Sequence, residues 1–193
     1  MKNVLLLGDS FACPWSGDYK GWPDLLSEKV HLTNLAQAGV SEYKILNQLK
    51  SSDFRNFDVV IVSHTSPLRI HTKKHPIHKH GLHKDCDLIA NDILPRFSLF
   101  NKSLQSAKLW FKYHNDEAFQ YDIYYLLRKE IRTMLGSMKY ISITHTELSK
   151  EHTIEHNNID FSKVWQKHRG KVNHYTEQGN RIVYNELLDI INK

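Results

Sequence analysis

The sequence Gly8-Asp9-Ser10 follows the apolar run Val4-Leu5-Leu6-Leu7 without a break, and His174 stands in NHYTEQGNRI just ahead of the last apolar-periodic stretch. A serine hydroxyl is a weak nucleophile until a base takes its proton. An imidazole, with its pKa near neutrality, takes that proton and returns it to a leaving alcohol. A serine at the carboxyl end of a buried parallel strand, entering a turn, sits where open α/β sheets place their ligands. The oxyanion formed by its attack on an acyl carbonyl needs preorganised donors. Gly39, which ends NLAQAG, offers an N–H that no side chain obstructs, and the Ser10 N–H is a second donor. The plainer readings are a strand-ending turn and helix cap for Gly-Asp-Ser, a turn glycine for Gly39, and a histidine near a helix N-terminus for His174. Asp9 suits hydrogen bonding to the turn backbone better than acid–base work.

Elements must bring these groups together. Val4 to Leu7 reads as a central strand covered on both faces. A loop rich in Gly, Pro and Trp follows, then a helix opened by Trp22-Pro23-Asp24, with Pro23 suited to its first turn. Residues 30–39 read as a short strand giving way to a loop at Gly39, and 41–50 as a helix. FDVVIVSHT, 57–65, is a β-branched apolar run and the strongest strand signal. Residues 69–86 have no apolar period and carry His71, His75, His78, His80 and His83, so they read as an exposed loop. Helices are expected over 87–112 and 116–135. In the second, Phe119, Ile123, Leu126, Leu127, Ile131 and Leu135 make the apolar face, and Gly136 suits the C-terminal cap. KYISIT, 139–144, is the next strand, and Thr176 opens a final helix with Ile182, Val183, Leu187, Leu188 and Ile191 on its apolar side. Strands alternating with helices predict right-handed βαβ units: a three-layer α/β/α sandwich, flavodoxin-like, with a parallel sheet of four or five strands.

The nucleophile block near the start, the glycine block some 30 residues on and the histidine some 20 residues from the end make the chain resemble the SGNH, or GDSL, hydrolases. GWPDLLSEKVHLTNLAQAG looks like that family's passage from the first block to the second. The resemblance runs nearly end to end, with little carried by the middle third. It implies Ser10 as nucleophile, His174 as base, and the amides of Ser10 and Gly39 as oxyanion donors. The family's third block has the form Gly-x-Asn-Asp, whose Asn donates to the oxyanion. Here His64-Thr65-Ser66-Pro67 follows the central strand, putting Ser66 at the Asn position, or Thr65 if the register moves by one. The family also places Asp three residues before its histidine, where this chain has Lys171. Asp160 is the nearest replacement acid, and a backbone carbonyl orienting the ring is the alternative.

Composition narrows the classes. With 193 residues, 40% hydrophobic and 24% charged, the chain is expected to be one globular domain, with the His-rich loop and a helical insertion at about 69–136. No apolar run approaches the roughly 20 residues of a membrane span, and Val4–Leu7 is shorter than the ~7–15-residue core of a secretion signal, so a cytoplasmic protein with no membrane partner is expected. Cys13 and Cys86 match no disulfide or metal pattern. The net charge of +5 comes from scattered basic residues without a nucleic-acid-binding signature, so no nucleic acid is expected. The spacing of the five loop histidines matches no known metal site, so no metal and no cofactor are expected, and the loop reads as a solvated cover over the site's mouth. Trp15, just past the nucleophile, suits stacking on a sugar face, while Trp22, Trp110 and Trp165 read as core or rim. The expected function is a serine ester hydrolase that removes a small acyl group, acetyl first, from a carbohydrate or similar O-ester. An O-acyltransferase at the same site and a catalytically silent glycan- or protein-binding chain are the alternatives.

Overall fold

The computed structural model describes residues 1–14, 18–151, 158–170 and 174–193. Trp15 and Lys171 therefore lie outside the described residues. Five strands form one parallel sheet: β1 (Asn3–Gly8), β2 (His31–Asn34), β3 (Val59–Ser63), β4 (Tyr140–Thr144) and β5 (Ile159–Asp160), in the order β2-β1-β3-β4-β5. That is the flavodoxin-like order, which reverses direction between β1 and β3 and opens a crevice beyond their carboxyl ends. β1 and β3 run in register from Val4 beside Val59 to Gly8 beside Ser63. Both are buried on both faces, which is why neither alternates apolar with polar.

Alternate strand residues feed two cores. Val4, Leu6, Val59, Ile61, Ile141 and Ile143 pack against α1 (Trp22–Ser27) and α8 (Glu177–Asn192). Leu5, Leu7, Val60 and Val62 pack on the opposite face against α2 (Glu42–Lys50) and α5 (Glu117–Leu135). The result is the expected three-layer α/β/α sandwich. Thr176 caps α8 by accepting from the Gly179 N–H, and Asp116 caps α5 by accepting from the Phe119 N–H.

Several elements differ from expectation. The second strand ends at Asn34, because the Asn34 side chain turns back to hold its own neighbourhood: Oδ1 accepts from the Ala36 N–H at 2.9 Å. The single helix expected over 87–112 is two, α3 (Ala90–Ile93) and α4 (Lys102–Tyr113). Pro95 disfavours helix for the residue before it, and Asn101 starts α4 afresh as its N-cap. On α5, Phe119 and Leu126 are exposed, while Tyr124 and Arg128 are buried beside Ile131 and Leu135. β5, only two residues long, is a strand that the sequence pattern does not predict.

The segment 69–86 is not simply a solvated loop. Ile70 and Leu88 pair as an isolated antiparallel bridge, closing its ends together. His75 and Cys86 are buried, and Ile70, Ile77 and Leu88 pack on a separate small core of Ile93, Leu104, Ala107 and Phe111. The short helices α6 (Glu147–Glu151) and α7 (Ser162–Lys167) follow β4 and β5, and single 3-10 turns stand at Phe54–Asn56 and Gly81–His83.

Candidate active site

The end of β1 is fastened from several sides. Gly8 is bracketed by Gln48 of α2, whose Oε1 accepts from its N–H at 2.9 Å and whose Nε2 donates to its carbonyl at 3.1 Å. A Cβ on Gly8 would stand 2.6 Å from the Ser63 Cβ, so glycine is what lets β1 and β3 approach here. Asp9 then makes the turn: Oδ1 accepts from the Phe11 N–H at 3.0 Å, and its carbonyl accepts from Ala12 and Cys13. Trp22 Nε1 donates to the Phe11 carbonyl at 2.7 Å, and Asn34 Nδ2 donates to the Ala12 carbonyl at 2.8 Å. Ser10 is thus held at the switch point by contacts from α1, α2 and the end of β2.

Beyond these strand ends lies a cavity of about 260 Å³ lined by residues that include Ser10, Thr65, Ser66 and His174. Ser10 and His174 also line an adjoining smaller cavity against Tyr175 and Asn180. The ring of Phe11, next in chain to Ser10, lies 5.4 Å from that of His174. Four of the residues singled out in the sequence therefore meet at one place. Ser66 Oγ accepts from the Leu68 N–H at 3.3 Å. The Thr65 carbonyl accepts from the Tyr124 hydroxyl at 3.1 Å and from Ser149 Oγ at 2.9 Å, so the Ser66 N–H, trans across the same planar peptide, points the other way.

Gly39 and Asp160 are placed differently. Gly39 has φ +70°, and its carbonyl accepts from Arg69 Nη1 at 3.0 Å and from the Asp87 N–H at 2.8 Å. It is not among the cavity's lining residues, but Arg69, which holds it, is. Asp160 also lies outside the lining; its carboxylate accepts from the Ser162 N–H at 2.9 Å and pairs with Lys150 Nζ at 2.9 Å. The 69–89 excursion frames the cavity through its two ends, Arg69 and Ile89, and none of its histidines lines it.

Sequence reasoning missed two buried histidines at this cavity. His64, directly after β3, shares 2.6 Å between Nδ1 and Glu42 Oε1 and 3.1 Å between Nε2 and the Tyr140 hydroxyl. His145, directly after β4, shares 2.8 Å with Ser63 Oγ and 2.6 Å with the Tyr175 hydroxyl, and stacks on Phe11 at 4.5 Å. Burial, with His174 nearby, lowers the His145 pKa to about 3, so it is neutral at physiological pH. Both rings use both nitrogens in hydrogen bonds, so they stiffen the cavity floor and offer no lone pair to a metal or a substrate proton. The signal was available: Ser63-His64-Thr65 and Thr144-His145-Thr146 end adjacent central strands with the same His-Thr pair. Arg69 and Trp165 were likewise not assigned to the site. They add a cation and an indole face to its walls, beside the apolar Phe11 and Ile89.

Burial raises the Asp9 pKa to about 6, while the Phe11 N–H and the Arg69 cation pull the other way. Asp9 is therefore a turn former kept in an environment hostile to its charge.

No protein-family model matches the chain, and no curated protein matches it. Among solved structures it is similar to a catalytic mutant of Axe2, an acetylxylan esterase from Geobacillus stearothermophilus. The TM-score is 0.54 at 11% identity, over 100% of this chain and 94% of that one. At that identity the likeness shows a shared α/β fold with a parallel five-stranded sheet between helices.

Proposed function

We propose that this chain is a serine ester hydrolase that removes a small acyl group, acetyl in the first place, from a hydroxyl of a carbohydrate or similar metabolite. The observation that carries the reading is the cavity at the sheet's switch point lined by Ser10, Thr65, Ser66 and His174. The fold shared with an acetylxylan esterase agrees with it. The resemblance to SGNH hydrolases in the order and spacing of the blocks is a third support.

In this reading His174 takes the Ser10 hydroxyl proton as Oγ attacks the acyl carbonyl. The oxyanion is met by the Ser10 amide and by the hydroxyl of Thr65 or Ser66, with the Gly39 amide, which stands outside the cavity's lining, as the further donor that the resemblance implies. The C–O bond to the sugar breaks as His174 returns the proton to the leaving oxygen. Water, deprotonated by the same ring, then clears the acyl group from Ser10. Asp160 is the proposed acid behind His174, although its bond to Lys150 makes a ring oriented by a backbone carbonyl the competing arrangement. The Trp165 indole and the Phe11 ring suit the apolar face of a pyranose, and Arg69 places a positive charge at the rim.

A catalytically silent, glycan-binding chain is the second reading, favoured by that engagement of Asp160 away from the cavity. An O-acyltransferase would use the same residues with a sugar hydroxyl in place of water. Hydrolysis of p-nitrophenyl acetate by wild type, Ser10→Ala and His174→Ala tests the proposal. Loss of activity by about 10³-fold or more in both variants is expected. A wild type no faster than Ser10→Ala contradicts it and leaves the silent reading. Lys171→Asp, run beside them, is expected to raise activity if the ring lacks a carboxylate partner.

A further inference from the structure

We propose that His75, His78 and Cys86, with the Asp92 carboxylate as fourth donor, form a zinc site that fastens the 69–89 excursion beside the candidate active site. The ligand atoms of His75, His78 and Cys86 all lie within 4.8 Å of one another. Asp92 Oδ2 is 2.8 Å from His78 Nε2 and 3.7 Å from His75 Nε2. Tetrahedral zinc with bonds of about 2.0–2.3 Å sets its nitrogen, oxygen and sulfur donors roughly 3.3–3.7 Å apart, so small side-chain movements suffice to close the set.

His75 supplies the independent observation. Its side chain is 1% exposed, yet Nε2 makes no hydrogen bond, a costly state for a buried polar atom. A metal at the centre of the cluster removes that cost. The His75-x-x-His78 spacing forms a tight turn in which the N–H groups of Ile77 and His78 approach His75 Nδ1 at 3.2 and 3.1 Å. In the metal-free ring these contacts keep the proton on Nε2. Coordination through Nε2 moves it to Nδ1, so loading opens this turn, at the expense of two long, shared hydrogen bonds. Cys86 is a buried free thiol and coordinates as thiolate, its proton passing to solvent. One thiolate with two imidazoles and a carboxylate suits zinc rather than magnesium or calcium, which take oxygen donors. Four protein donors leave no open position, so the ion is structural.

Its location gives it a consequence. A Cβ on Gly39 would stand 2.8 Å from the Cys86 Cβ, so Cys86 packs directly on the candidate oxyanion glycine. The next residue, Asp87, donates its N–H to the Gly39 carbonyl, while its carboxylate accepts from the Ser41 and Thr72 N–H groups, each at 2.8 Å. Lys44 and His71 also pair with that carboxylate. Fixing Cys86 therefore fixes the clamp on Gly39, whatever the cavity's chemistry.

The test uses the full chain without an affinity tag, loaded with zinc and desalted, with cobalt(II) as the spectroscopic probe. Wild type is expected to retain one zinc per chain and, with cobalt, to show a thiolate-to-cobalt charge-transfer band and the intense visible bands of a tetrahedral ion. Cys86→Ser is expected to lose the charge-transfer band. His75→Ala is expected to weaken zinc binding by about 100-fold or more, with the exposed-histidine variant His80→Ala within about two-fold of wild type. Wild type that retains no zinc, or binds cobalt without the charge-transfer band, overturns the proposal without any reference to a variant's folding. Binding that survives Cys86→Ser and His75→Ala but falls in His80→Ala also overturns it, by assigning the metal to surface histidines.

Discussion

Asp9 holds its carboxyl in the turn below Ser10, where burial raises its pKa from 3.8 to about 6. The folded chain therefore binds this proton more tightly than the unfolded chain. The stability Asp9 contributes is complete below about pH 3.8 and is lost as pH rises through about 6. Asp9→Asn keeps an oxygen for the Phe11 N–H and carries no charge. We expect it to be more stable than wild type by about 1–3 kcal/mol near pH 8 and to have lost that advantage near pH 3.5. Urea denaturation at the two pH values checks this, and an advantage of equal size at both contradicts it. That Ser10 and His174 would line one cavity was legible, because their residue types carry chemistry and their positions flank recognisable elements. His64 and His145 carried a signal only in the His-Thr pair that follows two adjacent strands, whereas Arg69 and Trp165 carried none, because whether a loop or helix residue faces a cavity depends on packing that no local pattern encodes.

β1 and β3 place the cavity, and Gly8 sets how closely they lie. Gly8→Ala would drive a Cβ to 2.6 Å from the Ser63 Cβ and 2.8 Å from the Ser63 carbonyl oxygen, both on the neighbouring central strand. Such overpacking is expected to cost about 1–3 kcal/mol by denaturant titration and, under the proposed function, to slow p-nitrophenyl acetate hydrolysis through the displaced Ser10 turn. Stability equal to wild type would contradict the packing account. The elements that read correctly were those whose signal is local: the continuous apolar runs of β1 and β3, the β-branched and aromatic alternation of β4, and the capped, periodic α8. The break between α3 and α4 has its local signal in Pro95 and Asn101, which the single helix expected over 87–112 runs through. β5 has only two residues to carry a pattern. The face of α5 was read correctly at Leu127, Ile131 and Leu135 but not at Phe119 and Leu126, which are exposed, while Arg128 is buried there, its guanidinium donating to the Tyr124 hydroxyl and to Ser142 Oγ at 3.1 Å each. A charged residue on an inward face looks outward from sequence alone.

Over the whole molecule, buried neutral histidines make the fold acid-sensitive. In the metal-free chain, burial lowers His145 to about 3 and His75 to about 4, against 6.5 when unfolded. The unfolded chain takes these protons first, so the stability they contribute is present above about pH 6.5 and is lost as pH falls through about 4 and then 3. Asp9 opposes this over part of the range, leaving a net loss of about 2–3 kcal/mol from pH 7.5 to 4.5. His145→Gln should shrink that loss, as judged by melts at both pH values; an unchanged pH dependence would contradict the assignment. The sheet and its loops bring Ser10 and His174 to one cavity, and a fluorophosphonate, which labels activated serines, shows whether Ser10 is one of them. A single adduct is expected, mapped by peptide mass spectrometry to Ser10 and strongly reduced in His174→Ala. No adduct on folded wild type, or an adduct on another serine, would contradict it.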